Sequence, residues 1–176
     1  RPGWRRSLEP GRKGDTARLR RPRPAHRSVR RGLAAERAAG RPMLITDVGV
    51  RLPAVVTASG LAMLARLPSA QIRALFPNAA AFVETDHGPA TPTALRQLLS
   101  DVRNRGHATE AGSVTSGFSS VAQAVLDHTS HPAAAIAVTY VGAEVDQAGE
   151  TRLVTAVNTA AAQLSRRLGF RSMSQA

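Results

Sequence analysis

Residues 51–67, RLPAVVTASGLAMLARL, carry the residue pattern in this chain that is best suited to chemistry. Val55 and Val56 favour a strand, Thr57 can accept a helix-capping hydrogen bond, and apolar residues recur at helical spacing from Ala58 onward. A strand that leads into a helix start of small residues exposes backbone N–H groups, which suit a small anion and particularly a carboxylate. An ordinary capped turn between a strand and a helix would contain the same residues, so both interpretations stay open.

The chain offers little for catalysis or for binding a metal. It contains no cysteine, which excludes a disulfide framework and a thiolate metal site. It also lacks the nucleophile elbow, the phosphate-binding glycine loop, the dinucleotide fingerprint and the metal helix with paired histidines. His128 and His131 precede Pro132 in a polar turn, which favours a solvated loop over a metal site, and Asp86-His87 has no serine placed as a nucleophile. We therefore expect no enzyme activity, no metal and no cofactor.

The positive charge of the chain is concentrated at its beginning. Residues 1–42 contain 14 Lys and Arg against 3 Asp and Glu, a net of +11, whereas residues 43–176 contribute only +1 of the total of +12. The first segment also has five prolines, five glycines and no sustained apolar period, which predicts a disordered tail. It is either a passive tail or a basic arm that contacts phosphate groups without sequence preference. Trp4 is its only aromatic residue, so stacking on single strands is not expected.

Nothing in the sequence indicates a membrane protein. No uninterrupted apolar run approaches the roughly 20 residues that a membrane span needs. The arginine-rich beginning has no apolar segment of the kind found in a secretory signal. We therefore expect a cytoplasmic protein without membrane contacts.

From Met43 onward the pattern predicts a compact α+β domain. Met43 to Val48 has the composition of a strand, Ser69 can cap a short helix that ends before Pro77, and Thr91-Pro92 and Gly106 delimit a longer helix. The other predicted elements are strands at 107–110, 121–127 and 133–141 and a helix from about 150 to 168. Strands that cluster between helices without a regular βαβ alternation favour a mainly antiparallel sheet with helices packed on it.

Five segments in this order resemble the effector-binding domain of the IclR family of bacterial transcription regulators. They are LPAVVTASGLAMLARLP, TALRQLLSDVRNRGHATEAG, SGFSSVAQAVLD, PAAAIAVTYVG and AAAQLSRRLG, and the resemblance extends from about Met43 to Arg171. It implies a GAF-like domain, in which a curved, mainly antiparallel sheet is flanked by helices and a pocket lies on one side. It also implies control of transcription by a small organic or aromatic acid, and assembly as a homodimer or tetramer. The predicted organisation is a tail at 1–42, the effector-binding domain at 43–171 and a C-terminal tail at 172–176.

The resemblance also assigns candidate residues to the ligand site. Glu110 matches an acidic residue at the pocket edge, although a solvated carboxylate at a strand end is an equal alternative. Phe118 would form an apolar wall, or it simply packs in the core. Alternation along a strand places Ala137 and Thr139 on the same face. The complete set consists of the anion loop, the strand positions and two apolar lining residues: Thr57, Ala58, Ser59, Gly60, Glu110, Phe118, Ser120, Ala137, Thr139, Leu44 and Leu52.

The sequence departs from the family pattern at two places that affect function. The family's winged helix-turn-helix is not expected within residues 1–42, so any DNA contact would be non-specific and through the basic tail. Leu61 stands where the pattern usually has lysine, which removes a cation from the proposed anion site. We therefore expect a small monocarboxylate whose remaining part is mostly uncharged. The alternative function is that of a basic-tailed protein that binds nucleic acid non-specifically.

Overall fold

A computed structural model describes residues 50–82 and 87–171. Leu44, the predicted strand at 43–48, the tail at 1–42 and the C-terminal residues 172–176 lie outside this part of the chain. The described elements are α1 (Ala58–Arg66), α2 (Ser69–Leu75), α3 (Pro92–Arg105), β1 (Ala108–Ala111), β2 (Phe118–Leu126), β3 (Pro132–Val141) and α4 (Gln147–Arg167). Short 3₁₀ turns cover Ala54–Val56, Ala79–Ala81 and Gly142–Glu144. The predicted α+β class is confirmed.

Local side-chain chemistry determines where the helices begin and end. Thr57 Oγ1 accepts a hydrogen bond from Gly60 N at 3.0 Å and caps α1, and Thr91 caps α3 with Pro92 as the first helical residue. Gly106 ends α3 in the left-handed conformation, with φ of 79°, as predicted. The prediction that Ser69 caps α2 is wrong, because Ser69 is itself the first helical residue and no side chain caps this helix.

The predicted strand at Val55 and Val56 is also wrong, since these residues form a 3₁₀ turn. Pro53 has φ of −59°, and its carbonyl oxygen accepts a hydrogen bond from Val56 N at 3.3 Å. Both valines are buried in the core together with residues of α1. Strand propensity largely reflects the fit of a side chain to a pleated, half-buried surface. Here a turn buries the two valine side chains equally well, so no strand is needed.

The three strands form one antiparallel sheet in the order β1-β2-β3. This confirms the predicted strand pairing direction, although β2 begins at Phe118, three residues before the predicted start at 121. The register pairs Glu110 with Ser120, and Ser120 with Thr139, so three polar side chains stand in a row across the sheet. Directly opposed residues share a face, and this row therefore faces one side.

Helices cover both faces of the sheet. On one face, α1 contacts all three strands and α3, and the core there includes Leu64, Leu95 and Leu99. On the other face, α4 packs against β2 and β3 and buries Val157 and Ala161. No helix in residues 50–82 and 87–171 is both long and apolar enough to cross a membrane.

Two side-chain connections tie α4 to β2. The Gln123 amide donates to the carbonyl oxygen of Gly106 at the end of α3 and, at 3.3 Å, to Asn158 Oδ1 of α4. The second connection lies at the irregularity in pairing between Val125 and Leu126. There Leu126 N donates to Ser165 Oγ at 2.9 Å, so an α4 side chain provides an acceptor for this buried N–H.

Candidate functional site

A pocket lies between the start of α1 and the face of the sheet that carries the polar row. Its cavity volume, as the space open to the centres of water-sized molecules, is about 40 Å³. A single buried water needs roughly 10–15 Å³ of such space, so only a small ligand fits. The lining residues come from α1, the three strands and the β1–β2 turn: Thr57, Ala58, Ser59, Glu110, Val114, Thr115, Phe118, Ser120, Ala137 and Thr139.

The start of α1 supplies hydrogen-bond donors to the pocket. Thr57 uses its hydroxyl oxygen to accept from Gly60 N and its carbonyl oxygen to accept from Leu61 N at 2.9 Å. Within the described residues, the N–H groups of Ala58 and Ser59 have no protein acceptor. Both residues line the pocket and are buried, with exposed fractions of 2% and 8%. Free N–H groups at the positive end of a helix form a site suited to an anion.

The opposite wall is a continuous hydrogen-bonded row of three side chains. Ser120 Oγ donates to Glu110 Oε1 at 2.7 Å and lies 3.0 Å from Thr139 Oγ1. The second carboxylate oxygen, Oε2, accepts from Ser113 N at 3.1 Å. Glu110 is half-buried, so of the two predicted alternatives the structure places it at the pocket and not as a freely solvated strand end.

The turn between β1 and β2 folds over the pocket and adds apolar surface. Gly112 and Gly117 have positive φ, at 70° and 80°, and Gly112 N donates to Phe118 O at 2.8 Å, which closes the turn. This geometry places Val114 and Thr115 on the pocket lining together with Phe118. Val114 and Thr115 were absent from the predicted set, because strand alternation and helical spacing carry no information about a turn that folds back.

Eight of the eleven predicted site residues line the same pocket, two described ones do not, and one lies outside the described residues. Gly60 instead allows close packing, since a Cβ atom there would lie 2.5 Å from Ala54 Cα and 2.7 Å from its carbonyl carbon. Leu52 is half-buried but is not part of the lining, and Leu44 lies outside the described residues. Among the described residues, the lining includes no lysine or arginine. Ligand contacts at the eight residues remain predictions.

The predicted histidine turn is held together by a carboxylate. Asp127 Oδ1 accepts hydrogen bonds from Thr129 N at 2.8 Å, Thr129 Oγ1 at 2.6 Å and His131 N at 3.1 Å. The bond from the Thr129 hydroxyl is the main cause that lowers the Asp127 pKa below 3.8. No cluster of three or more potential metal ligands is found within residues 50–82 and 87–171. The three bonds to Asp127 all come from residues of the same turn.

Comparisons with known proteins are consistent with this architecture. The sequence matches the family model described as bacterial transcriptional regulator IclR, C-terminal, over residues 35–166. It is 29% identical over 143 residues to the HTH-type transcriptional regulator XynR of Escherichia coli (strain K12), a match that covers 80% of this chain and 57% of XynR. The matched region begins inside the segment predicted as tail, so the boundary at 42/43 remains a prediction.

Solved structures show the same fold. The repressor BlcR of Agobacterium tumefaciens is similar with a TM-score of 0.65 and 27% identity, covering 72% of this chain and 51% of BlcR. The IclR protein of Thermotoga maritima has a TM-score of 0.64 at 22% identity, over 73% of this chain and 52% of that protein, and shows likeness of fold alone. The chain thus spans about half the length of these relatives.

Proposed function

The chain belongs to the IclR family of bacterial transcriptional regulators, and from this premise we propose that its pocket senses a small monocarboxylate. Family membership and the α+β fold agree with the resemblance seen in the sequence. The relatives are transcriptional regulators and not enzymes, in agreement with the expectation from the sequence. The effector-binding domain therefore has a regulatory role, and the chemistry of its effector is our proposal.

The observation that carries the proposal is the pair of N–H groups at Ala58 and Ser59, which have no acceptor among the described residues. A negative charge at a helix N-terminus is stabilised by about 0.3–1 kcal/mol when exposed, and by up to ~2 kcal/mol when partly buried. A carboxylate has two oxygens, which match two adjacent donors. The rest of the pocket favours an uncharged group, because Val114, Phe118 and Ala137 are apolar and the described lining residues include no lysine or arginine. A second ligand charge would stay uncompensated there, at a cost of several kcal/mol if buried.

The wider role follows from the relatives. We infer that effector binding controls transcription from a homodimer or tetramer in the bacterial cytoplasm. XynR is an HTH-type regulator, and this chain covers 57% of its length, so sequence-specific DNA binding is not assigned to the described domain. Residues 1–42 would add only non-specific phosphate contacts through their net charge of +11.

A thermal-shift screen with small carboxylic acids tests the ligand class. A ligand at 100 times its Kd stabilises the folded state by about 2.7 kcal/mol, which such a screen detects easily. Ser59→Pro removes one of the two N–H donors, and we expect it to weaken the stabilisation by monocarboxylates. Ala148→Pro is the matched control, because Ala148 is likewise the second residue of a capped helix but lies in α4, away from the pocket. Stabilisation by sugars or nucleotides, with none by monocarboxylates, would contradict the proposal.

The second candidate function, non-specific nucleic-acid binding, is favoured by the charge of residues 1–42 alone. Phosphate contacts by arginine release counterions, so this binding should weaken steeply as salt rises. Binding of a monocarboxylate inside the pocket should depend much less on the salt concentration. Competition between an operator-like duplex and a random duplex should show no preference, and a preference beyond about tenfold, ~1.4 kcal/mol, would reveal a sequence-reading element.

A further inference from the structure

Three helices of the domain end toward the end of the sheet where β2 finishes. Arg103 Nε of α3 donates to the carbonyl oxygen of Ala65 in the last turn of α1 at 2.7 Å, so these two helices end side by side. The carbonyl oxygen of the residue after α3 accepts from Gln123 in the second half of β2, and the last turn of α4 bonds to Leu126, the last residue of β2. We call this part of the domain the basic end, and its arginines are Arg66, Arg103, Arg105, Arg166, Arg167 and Arg171.

Acidic residues gather at the opposite end, where β2 begins. Residues 106–150 contain five Asp and Glu and no Lys or Arg. Four of the five lie near the start of β2 or the start of α4, namely Glu110, Glu144, Asp146 and Glu150. Glu150 and Arg166 are 16 residues apart on α4, which is about 24 Å along the helix axis. The net charge of +1 for residues 43–176 therefore conceals two ends of opposite charge.

The six arginines of the basic end are all exposed. Within residues 50–82 and 87–171, the acids on the same side are Asp101, which accepts from Gln97 Nε2 at 3.2 Å, and Asp127, which accepts three bonds from its own turn. A cation near a helix C-terminus is stabilised by the helix dipole, which explains why single arginines stand there. It does not explain why three helices end together while four acids lie at the other end. The basic end thus exposes six positive charges against two negative ones.

We propose that the basic end binds the phosphate backbone of duplex DNA without reading its sequence. The planar guanidinium group of arginine matches the geometry of phosphate oxygens. Asn104 and Ser130 are exposed beside the arginines, and amide and hydroxyl groups are also common phosphate contacts. A protein partner fits less well, because protein interfaces have a core rich in large apolar side chains, and Leu168 is the one exposed large hydrophobic residue in the described part of the chain. The inference does not depend on the ligand of the pocket.

The salt dependence of DNA binding by the full chain tests the proposal. Each phosphate that a cation neutralises contributes about 0.9 to the slope of log K against log salt concentration. The triple variant Arg66→Gln, Arg166→Gln, Arg167→Gln removes three charges of the basic end, and it should reduce the slope for a random-sequence duplex by about 2.7, as measured by fluorescence anisotropy. Restoring the three charges as lysine should restore the slope, which separates lost contacts from a change of fold.

The chain offers a control of equal charge. The exposed residues Arg51, Arg96 and Arg152 lie near the starts of α1, α3 and α4, and their triple replacement by glutamine should leave the slope nearly unchanged. The contribution of residues 1–42 is the same in all of these variants, so it cancels in the comparison. Equal slopes in the two glutamine variants would overturn the inference and assign the binding to residues 1–42. Absence of binding by the wild type would also overturn it.

A second measurement locates the duplex directly and leaves the arginines in place. Because the chain contains no cysteine, Asn104→Cys provides a single site for a donor dye at the basic end, and Ala148→Cys provides one at the start of α4. Both positions are exposed. Energy transfer to a duplex that carries an acceptor dye should be stronger from position 104. Equal or stronger transfer from position 148 would overturn the inference, whereas the stabilisation by monocarboxylates is measured without DNA and stands or falls separately.

Discussion

Gly60→Ala should destabilise the domain, even though the position lies in a helix. Alanine is favoured over glycine in a helix interior by about 1 kcal/mol, which predicts a gain from propensity alone. The structure predicts the opposite sign, because the new methyl group would lie 2.5 Å from Ala54 Cα and 2.7 Å from its carbonyl carbon. These are backbone atoms of a buried turn and cannot move aside as a flexible side chain can.

The two effects differ enough in size to decide the outcome. Forcing a methylene into a packed core typically costs about 1–3 kcal/mol, and the close contacts with backbone atoms of Ala54 place Gly60→Ala at the upper end. After the gain of about 1 kcal/mol from helix propensity, we expect a net loss of about 2 kcal/mol. This corresponds to a decrease of about 30-fold in the ratio of folded to unfolded protein.

Urea unfolding followed by circular dichroism measures this loss, and α4 supplies a matched control. Gly149 occupies the same position in its helix as Gly60, and in both cases the capping side chain accepts the glycine N–H. A Cβ atom at Gly149 would contact side-chain atoms, 2.9 Å from Val145 Cγ1 and 3.1 Å from Asp146 Oδ1, which can adjust. Gly149→Ala should therefore be neutral or slightly stabilising. Equal stability of the two variants would refute the reasoning that backbone contact, and not helix position, requires glycine at 60.

Three further predictions follow from the described contacts and from the family. Ser165→Ala leaves the buried Leu126 N–H unpaired and should cost about 1–3 kcal/mol of unfolding free energy in urea titrations, whereas a loss near zero would show that the N–H finds another acceptor. The Thr129 hydroxyl lowers the pKa of Asp127 below its ordinary value of 3.8, so the ionised carboxylate stabilises the folded state above that pH. This contribution is lost as the pH falls through the lower pKa of the folded state, and the difference in unfolding free energy between wild type and Asp127→Asn should therefore shrink in acid. A difference that grows in acid would contradict this sign. Light scattering at micromolar concentration should show a homodimer or tetramer, and a clean monomer would contradict the inferred assembly.

Features that depend on neighbouring residues could be predicted from the sequence. Thr57, Thr91 and Gly106 cap helices through bonds to backbone atoms within a few residues. The residue type and its place beside a helical pattern are therefore sufficient to predict each cap. Strand alternation likewise placed Ala137 and Thr139 together on the pocket side of β3.

Features that depend on distant contacts could not be predicted in this way. The turn at Val55 and Val56 forms because the valines are buried against α1, and strand propensity contains no information about that burial. Val114 reaches the pocket through the closed β1–β2 turn. The polar row depends on the strand register, which aligns Glu110 with Ser120, and no local pattern specifies that register.

The two connections between β2 and α4 have a mechanical consequence. Asn158 and Ser165 are seven residues apart on α4, which is about 10 Å along the helix axis. A helix held at two such points cannot slide along the sheet or rotate about its own axis without breaking a bond, so it must follow β2 as a rigid rod. With 21 residues the rod is about 30 Å long, roughly three times the distance between its anchors. If β2 tilts slightly beneath the pocket, the far end of α4 therefore moves over a larger distance than the two anchor points do.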